Sequence, residues 1–462
     1  MKHGEKNLSS MRISVIGAGV SGVGLALLAN ALGARVFVSE AKGMLESVID
    51  QFKRHGVEWE ERGHTPNLYE ADLILVGSGI SPRSQPVLEG LRRGVEVMGE
   101  LDFVAPYLRG RMIGVTGSNG KSTVTALAGH LLTRAGFSVE VTGNIGRSIA
   151  DSALKDSEFI VAELSSFQLH WNMRFACDLA VVTNIAPDHI DWHGSFEEYA
   201  RAKARIIQTG KAGGYALVQE SDRALLLEGD HSDRDVYAFS WSEGAPPSPR
   251  SISADEGSRR VLINGQGGDP ETLFSFDDVP LMGRHNIENA AFAAAAVRLL
   301  AGKESYGSTL FSGFRGLPHR CEHVATVRGV RYVDDSKGTN VAASSTALSS
   351  LPGPKVVILG GQGKGEEYGQ LAEAVKKEAV AAVVMGAERE KIVAALQEAG
   401  FEDFYRVASM EEAVATASRI APSKGLVLLS PACTSWDMYP DYQARGDHFK
   451  SLVLEMKGEG ER

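Results

Sequence analysis

The chain has 462 residues, of which 43% are hydrophobic and 23% charged, and its formal net charge at neutral pH is −10. This length exceeds the limit of a single hydrophobic core, and a value of about 150 residues per domain suggests three domains. The negative charge argues against nucleic acid as a partner and against binding to a membrane surface. The sequence has no apolar run near the roughly 18 residues of a membrane helix and no signal-peptide pattern, so we expect a cytoplasmic protein without membrane insertion.

The first predicted elements alternate short apolar runs with helical patterns, which is typical of a parallel sheet covered by helices. The runs are at 12–16, 35–38 and 73–76. A glycine-rich stretch at 17–22 follows the first run and has the spacing of a diphosphate-binding turn. The motif does not distinguish a nicotinamide dinucleotide from a uridine diphosphate sugar, and a structural turn without a ligand is a further alternative. We expect the residues before Met11 to form a polar, disordered extension.

The most informative motif is the stretch at 116–123, Thr-Gly-Ser-Asn-Gly-Lys-Ser-Thr, between an apolar run at 112–115 and a helical pattern from Val124. In a phosphate loop, small residues let backbone N–H groups approach phosphate oxygens, the lysine neutralises phosphate charge, and the next hydroxyl binds Mg²⁺. Val115 stands where the common pattern has a glycine, and a glycine-rich turn is the alternative. The predicted phosphate contacts are Gly117, Ser118, Asn119, Gly120, Lys121, Ser122 and Thr123.

Acidic residues follow the next two predicted strands, at 159–162 and 179–182. The first run ends in Glu163, and an acid at a strand end near a phosphate loop is placed to hold Mg²⁺. A surface glutamate would fit that position equally well. The second run leads to His189 and His193, which lie among aspartates and resemble a transition-metal cluster, although a magnesium-nucleotide site already explains polar residues there.

A capping box at 195–198 predicts the start of a helix that carries Lys203, and lysines on such helices are usually solvated. The polar region at 240–271 predicts loops and small antiparallel strands at a sheet edge. A long alanine-rich helix is expected at 283–300, and a third α/β unit begins near Gly316. Its predicted strands are at 330–333, 355–359, 381–385 and 426–429.

These motifs, in this order, resemble the ATP-dependent Mur ligases from Met11 onward. The stretches at 163–169 and 430–437 are closest to the member that adds D-glutamate to UDP-N-acetylmuramoyl-L-alanine. The resemblance implies three consecutive α/β domains with mainly parallel sheets. The implied domains are a Rossmann-like UDP-binding domain at 11–100, an ATP-binding phosphate-loop domain at 101–315, and a Rossmann-like, mobile amino-acid-binding domain at 316–462.

The resemblance also assigns roles to residues. The implied catalytic residues are Lys121, Glu163, His189 and Lys203. Two Mg²⁺ ions would be held by Ser122, Glu163, His189 and Lys203, the last as a carbamate. Further ATP contacts would be Asn286, Asn289, Arg320, Asp335 and Lys337. The UDP substrate would meet Gly19, Val20, Ser21, Ser39, Asn144 and His189. D-glutamate would meet His319, Thr339, Lys364, Ser435 and Trp436, with Tyr439 or Tyr442 as the family's aromatic residue.

The implied activity is that of a monomeric, ADP-forming acid–amino-acid ligase in peptidoglycan precursor synthesis, which serves cell wall biogenesis, cell shape and division. ATP would phosphorylate the terminal alanine carboxylate, and the D-glutamate amine would attack the resulting acyl phosphate. Three alternatives remain open at this point. They are a nicotinamide-dependent oxidoreductase, a noncatalytic nucleotide-sugar sensor, and a sister ligase with another amino acid specificity.

Overall fold

The computed structural model forms two compact units. The described residues are 8–144, 147–227, 233–242, 248–266, 269–281, 283–302 and 310–460. The first unit comprises Met1–Asp278 and Glu288–Ser312, and the second comprises Val279–Ile287 and Gly313–Arg462. Within the described ranges, none of the helices combines the length and apolar character that a bilayer crossing needs. The α/β class with mainly parallel sheets is confirmed.

The first sheet lies in the first unit, and the strand pairs found in its described residues are parallel, in the order β3-β2-β1-β4-β5. Its strands are β1 (Arg12–Ile16), β2 (Arg35–Ser39), β3 (Glu58–Glu60), β4 (Leu73–Val76) and β5 (Glu96–Gly99). The accompanying helices are α1 (Val20–Ala31), α2 (Glu46–His55), α3 (Gln85–Arg92) and α4 (Glu100–Val104). The continuously apolar β4 is buried at every residue, as a strand covered on both faces should be.

The expectation of a disordered extension before Met11 is wrong for the residues nearest the fold. Leu8 is only 7% exposed and packs in the core of the first unit. Its backbone N–H donates to the carbonyl of Leu32 at 3.1 Å, and its own carbonyl accepts from the N–H of Met11 at 2.8 Å. The Leu8 side chain and these backbone hydrogen bonds therefore hold residues 8–10 against the fold. Residues 1–7 lie outside the described ranges.

The second sheet, also in the first unit, has the order β14-β13-β12-β11-β10-β9-β6-β8-β7 in the part of the chain that is described. Its strands are β6 (Arg111–Thr116), β7 (Val139–Gly143), β8 (Phe159–Glu163), β9 (Leu179–Val182), β10 (Tyr215–Gln219), β11 (Asp235–Ser242), β12 (Ser251–Asp255), β13 (Arg260–Asn264) and β14 (Glu271–Ser275). The pairings of β13 are antiparallel, which confirms the small antiparallel strands expected at the edge.

Six helices of the described chain accompany the second sheet, and the boundary between the two units falls within the last of them, α10. They are α5 (Lys121–Arg134), α6 (Ser166–His170), α7 (Ile190–His193), α8 (Phe196–Gln208), α9 (Arg223–Leu226) and α10 (Arg284–Ala301). Helix α8 begins after Ser195, whose hydroxyl accepts the backbone N–H of Glu198 at 3.2 Å. The helix start predicted from the capping box is confirmed.

The third sheet forms the second unit, in the order β15-β16-β20-β17-β18-β19 as far as the described residues extend. Its strands are β15 (Glu322–Val327), β16 (Val330–Asp334), β17 (Lys355–Gly360), β18 (Ala381–Met385), β19 (Phe404–Arg406) and β20 (Leu426–Leu429). Its helices are α11 (Val341–Ser350), α12 (Gly369–Glu378), α13 (Arg389–Glu398), α14 (Met410–Ile420) and α15 (Tyr442–Gly460). The three sheets fall within the three predicted segments, whose boundaries stay a prediction.

The strand orders fix where ligands can bind. In the first sheet β1 lies between β2 and β4, and in the second β6 lies between β8 and β9. Connections leave such a central strand toward opposite faces of the sheet, so a crevice opens beyond its carboxyl end. The glycine-rich turn follows β1 and the phosphate loop follows β6. Both predicted loops therefore lie where an open α/β sheet binds ligands.

Helix α4 joins the two sheets through Asp102. The Asp102 carboxylate accepts backbone N–H groups from Met173 at 3.0 Å, Arg174 at 2.9 Å and Phe175 at 2.9 Å. These residues lie in the connection between α6 and β9, so a charge-assisted contact holds α4 against the second sheet.

We predict that Asp102→Asn lowers the free energy of unfolding by about 1–3 kcal/mol, because an amide has a single acceptor oxygen for these donors. Urea unfolding followed by circular dichroism measures the change. The control is Asp156→Asn, which removes an exposed ion pair with Arg109 and should leave the urea midpoint unchanged. Equal midpoints for Asp102→Asn and wild type would contradict this role.

Candidate active site

The phosphate loop connects β6 to α5 and depends on two glycines with left-handed backbone conformations. Gly117 has φ of +139° and Gly120 has φ of +83°. A Cβ atom on Gly117 would lie 1.9 Å from Thr183 Oγ1, and one on Gly120 would lie 2.3 Å from Asn289 Oδ1. Side chains are therefore excluded at both positions, and the backbone stays open for phosphate oxygens.

The segment after β9 fixes the shape of this loop. Asn184 accepts the N–H of Ser118 with its carbonyl at 2.8 Å and the N–H of Asn119 with its side-chain oxygen at 2.9 Å. The hydroxyl of Ser118 is 2.8 Å from both the carbonyl of Ala186 and the hydroxyl of Tyr199. The backbone N–H groups of Ser118 and Asn119 and the Ser118 hydroxyl therefore hold the loop in place. The sequence analysis had predicted both residues as phosphate contacts. Their role as ATP contacts stays a prediction.

Lys121 lies against the loop that precedes it. Its ammonium donates to the carbonyls of Gly117 and Ser118, both at 2.8 Å. The next two residues, Ser122 and Thr123, are buried in the first turn of α5. A positive helix end, an ammonium and a glycine cradle thus meet at one place, as the binding of a polyphosphate requires.

Lys203 also reaches this loop, from helix α8. Its side chain is only 2% exposed, and its Nζ donates to the Gly117 carbonyl at 2.7 Å and lies 3.3 Å from Thr116 Oγ1. Burial, and next the charge of Lys121, hold the pKa of Lys203 well below its usual value. The usual expectation of a solvated lysine is wrong here, because the helix turns this residue toward the sheet.

Glu163 ends β8 next to the phosphate loop, since β8 pairs with β6 in a register that sets Glu163 opposite Val115. The carboxylate is 2% exposed, and its Oε1 accepts from Asn144 Nδ2 at 3.0 Å. The Asn144 N–H also donates to the Glu163 carbonyl at 2.9 Å. The alternative of an ordinary surface glutamate is wrong, and a buried carboxylate oxygen is the ligand type that Mg²⁺ prefers.

The histidines of the next segment contact an aromatic ring. His189 has a left-handed backbone with φ of +53°, its Nε2 is 3.6 Å from Asp188 Oδ2, and its ring centroid is 4.8 Å from that of Phe167. The buried His193 lies 5.8 Å from the same ring, and its Nε2 is 3.0 Å from Ser166 Oγ. Burial lowers the pKa of His193 to about 4. His193 thus serves the packing of this region, which does not favour the transition-metal alternative.

A second binding place lies at the glycine-rich turn. It is a cavity of about 390 Å³ at the carboxyl ends of β1 and β4, reached also by residues that follow β7. The residues that line it are Ile16, Gly17, Gly19, Val20, Ser21, Gly22, Glu40, Gly77, Ser78, Gly79, Ile80, Gly143, Asn144, Arg147, Ser148 and Gln168. Gly19, Val20, Ser21 and Asn144 are predicted substrate contacts. The structure brings these four together.

Ser39 differs from the other predicted substrate contacts. It is fully buried at the end of β2 and is not among the residues that line the cavity. Its hydroxyl donates to Glu60 Oε1 at 2.5 Å and lies 2.7 Å from His64 Nδ1. Conversely, sequence reasoning missed Arg147, a lining residue whose guanidinium donates to Glu140 at 3.2 Å. A cation three residues after Asn144 was the available signal.

In the second unit, several predicted contacts lie near the carboxyl ends of β16 and β20. His319 Nδ1 is 2.7 Å from Asp334 Oδ2, and the N–H of Lys337 donates to the His319 carbonyl at 3.1 Å. Asp335 accepts from Ser430 at 2.7 Å, and burial raises the pKa of Asp335 to about 7. Arg320 and Thr339 are half-buried in the same loops.

The structure distinguishes between the two candidate aromatic residues. The Lys337 ammonium lies 3.9 Å from the ring centroid of Tyr442, which also contacts His319 at 5.9 Å. Tyr439 instead places its hydroxyl 2.8 Å from His448 Nδ1 and packs against a core cluster. Tyr442 is therefore the candidate that contacts other predicted residues, and its role stays a prediction.

Other predicted residues of the second unit differ widely in exposure. Ser435 is buried, whereas Trp436 is 68% exposed and Lys364 is exposed on the loop after β17. Asn286 is buried in the first turn of α10. Sequence reasoning missed Arg445, a fully buried residue of α15, because no motif surrounds it. Its guanidinium donates to the backbone carbonyls of Ser336, Cys433 and Thr434 and so joins the loop after β16 to the loop after β20.

The glycine cradle, the two buried charged residues beside it and the adjoining cavity define a phosphate-loop enzyme of the α/β class. Three family models match the chain. They are the MurD N-terminal domain at residues 12–86, the Mur ligase middle domain at 115–297, and the Mur ligase glutamate ligase domain at 319–433.

Curated relatives match over nearly the full length. The UDP-N-acetylmuramoylalanine–D-glutamate ligase of Pelotomaculum thermopropionicum is 35% identical, over 98% of this chain and 99% of its own. The ligase of the same name from Chlorobaculum parvum is 36% identical, over 97% of this chain and 98% of its own. The chain belongs to the Mur ligase family, and within it to the UDP-N-acetylmuramoylalanine–D-glutamate ligases.

Solved structures with low sequence identity share the fold. The UDP-N-acetylmuramate-alanine ligase MurC of Thermotoga maritima has a TM-score of 0.59 at 18% identity, over 97% of this chain and 100% of that one. The MurF ligase of the same organism, solved in complex with ADP, has a TM-score of 0.58 at 19% identity, over 92% and 94% of the two chains. Family membership replaces the nicotinamide-dependent oxidoreductase as an explanation of the glycine-rich turn.

Proposed function

We propose that this ligase joins D-glutamate to UDP-N-acetylmuramoyl-L-alanine at the expense of ATP, in the synthesis of peptidoglycan precursors. The observation that carries the proposal is the hydrogen bond from Asn144 to Glu163. Asn144 lines the cavity at the glycine-rich turn, and Glu163 lies beside the phosphate loop. A substrate in the cavity can therefore extend its terminal carboxylate toward an ATP phosphate at the loop.

The residues present fit ATP and Mg²⁺. Gly117 and Gly120 leave no room for side chains, because a Cβ atom would collide with Thr183 Oγ1 or Asn289 Oδ1, so backbone N–H groups of this loop can approach phosphate oxygens. The buried Glu163 carboxylate and the Ser122 hydroxyl are hard oxygen donors of the kind that hold Mg²⁺, and we assign a second ion to His189 and to Lys203 as its carbamate. Bound Mg²⁺ would neutralise charge on the phosphoryl oxygens.

The reaction needs activation because a carboxylate is a poor acyl donor to an amine. An oxygen of the alanine carboxylate forms a bond to the γ-phosphorus of ATP while the bond to ADP breaks, which gives an acyl phosphate. Lys121 and the N-terminus of α5 hold the phosphates in line for this transfer. The D-glutamate amine then attacks the acyl carbon, loses a proton, and releases inorganic phosphate as the amide forms.

The second unit supplies the amino acid in this proposal. Lys364, Thr339 and Ser435 would bind the D-glutamate carboxylates, which a cation and hydroxyl donors suit. The buried Arg445 fixes the loops that carry two of them. A monomeric, cytoplasmic enzyme is part of the same proposal.

Lys203 is the proposed carbamate. The neutral Lys203 amine adds CO₂ at its nitrogen and releases a proton, so the side chain becomes a carbamate anion whose oxygens can bind Mg²⁺. The lowered pKa of Lys203 makes the neutral amine available at a pH at which exposed lysines are ammonium ions.

We predict a carbamate carbon signal from the protein in ¹³C-bicarbonate, measured by ¹³C NMR at mildly alkaline pH. The signal should fade as the pH falls, because protonation of Lys203 removes the nucleophile. Lys203→Arg is the control and should show no signal, because its guanidinium stays protonated. Identical spectra for the wild type and this variant would contradict carbamylation at Lys203.

The function is tested with UDP-N-acetylmuramoyl-L-alanine, ATP and one amino acid at a time. We expect D-glutamate to drive phosphate release well above the level with L-glutamate, L-lysine, glycine or diaminopimelate. Lys121→Ala should reduce the rate by about 100-fold or more, since it removes a charge that neutralises the transferring phosphoryl group. If D-glutamate releases no more phosphate than the blank without amino acid, the proposal is wrong.

A further inference from the structure

A buried carboxylate lies behind the wall of the nucleotide-sugar cavity. Glu100, the first residue of α4, is 2% exposed and is not among the residues that line the cavity. Three side chains bond to it: Ser148 Oγ at 2.8 Å from Oε1, and Gln168 Nε2 at 2.8 Å and Ser21 Oγ at 3.0 Å from Oε2. Burial raises the pKa of its carboxyl group, so this charge is costly to maintain.

All three partners line the cavity, and they come from different parts of the first unit. Ser21 lies in α1 beside the first sheet, whereas Ser148 follows β7 and Gln168 lies in α6 beside the second sheet. Glu100 therefore joins the two halves of the cavity wall. A carboxylate offers about four acceptor positions for these donors, whereas an amide oxygen offers two.

The contacts of the partners set the direction of each hydrogen bond. Gln168 accepts the backbone N–H of Ser165 with its Oε1, so its amide group faces Glu100 as a donor. Ser148 accepts the N–H of Ala150, and its single proton is directed to Glu100. The proton of Ser21 is likewise directed to Glu100, so in the 3.2 Å contact between Ser21 and Ser78 the donor is Ser78.

We propose that Glu100 is a positioning residue that fixes the direction of the hydrogen bonds from Ser78 to Ser21 and from Ser21 to Glu100. It thereby determines whether the cavity wall at Ser78 accepts or donates a hydrogen bond. With its proton directed to Ser21, the Ser78 oxygen presents lone pairs to the ligand. This part of the wall selects a hydroxyl or N–H group of the nucleotide sugar and disfavours a phosphate oxygen. The inference deepens the proposed function, because the ligand is the UDP substrate of that reaction.

The decisive variant is Glu100→Gln, which keeps the shape but places an amide group among the donors. An amide N–H directed at Ser21 would reverse these two hydrogen bonds, so that Ser78 points a proton into the cavity. We expect the KM for UDP-N-acetylmuramoyl-L-alanine to rise about tenfold or more, as for the loss of a hydrogen bond to a charged group. The KM for ATP and kcat should stay within about threefold, because the phosphate loop is held by other residues.

Asp102→Asn is the matched control. Asp102 lies two residues further on the same helix and bonds to backbone N–H groups away from the cavity. It should lower stability without changing the KM for the nucleotide sugar. If Glu100→Gln changes only the melting temperature, as this control does, or leaves the nucleotide-sugar KM within twofold of wild type, the positioning role is overturned.

A double-mutant cycle tests the route of the effect. If Glu100 acts through Ser21, Glu100→Gln should weaken binding far less in a Ser21→Ala background than in the wild type. Full additivity would overturn the proposed route through Ser21. Isothermal titration with UDP-N-acetylmuramoyl-L-alanine without ATP or amino acid gives these affinities, so the result stands apart from the success or failure of the ligase assay.

Discussion

The hydrogen bond between Asn144 and Glu163 is the contact on which the rest of the first unit's site depends. It connects the carboxyl end of β7, whose following residues reach the cavity, to the carboxyl end of β8, which lies beside the phosphate loop after β6. Parallel neighbours end at the same edge of a sheet, so residues 19 positions apart meet there. Without this proximity, a carboxylate substrate and an ATP phosphate would occupy two unrelated sites.

Buried ionisable side chains are the second common feature of the site. Glu163, Lys203 and Glu100 are each almost completely buried, and each forms hydrogen bonds with neighbouring backbone or side-chain groups. Removing charges from water is costly, and such groups persist where the fold satisfies them and the chemistry uses them. The fold thus holds two buried ionisable groups beside the phosphate loop, Glu163 and Lys203, and a third, Glu100, behind the cavity wall.

The sequence predicted features that local patterns determine. Continuous apolar runs identified strands such as β4 and β8, and the glycines at 117 and 120 identified the phosphate loop because only they allow its backbone conformation. It could not show that Lys203 is buried or that Ser39 faces Glu60, since both depend on packing between distant segments. Leu8 was misjudged because its polar neighbours concealed one anchoring contact.

The central claim is that the alanine carboxylate attacks the γ-phosphate of ATP at the phosphate loop. The most direct measurement uses UDP-N-acetylmuramoyl-L-alanine with ¹⁸O in that carboxylate, together with ATP and D-glutamate, and mass spectrometry of the released phosphate. An acyl phosphate intermediate transfers one carboxylate oxygen to phosphate, so the account predicts one ¹⁸O atom in each phosphate released. Phosphate without ¹⁸O, formed along with the amide product, would contradict it.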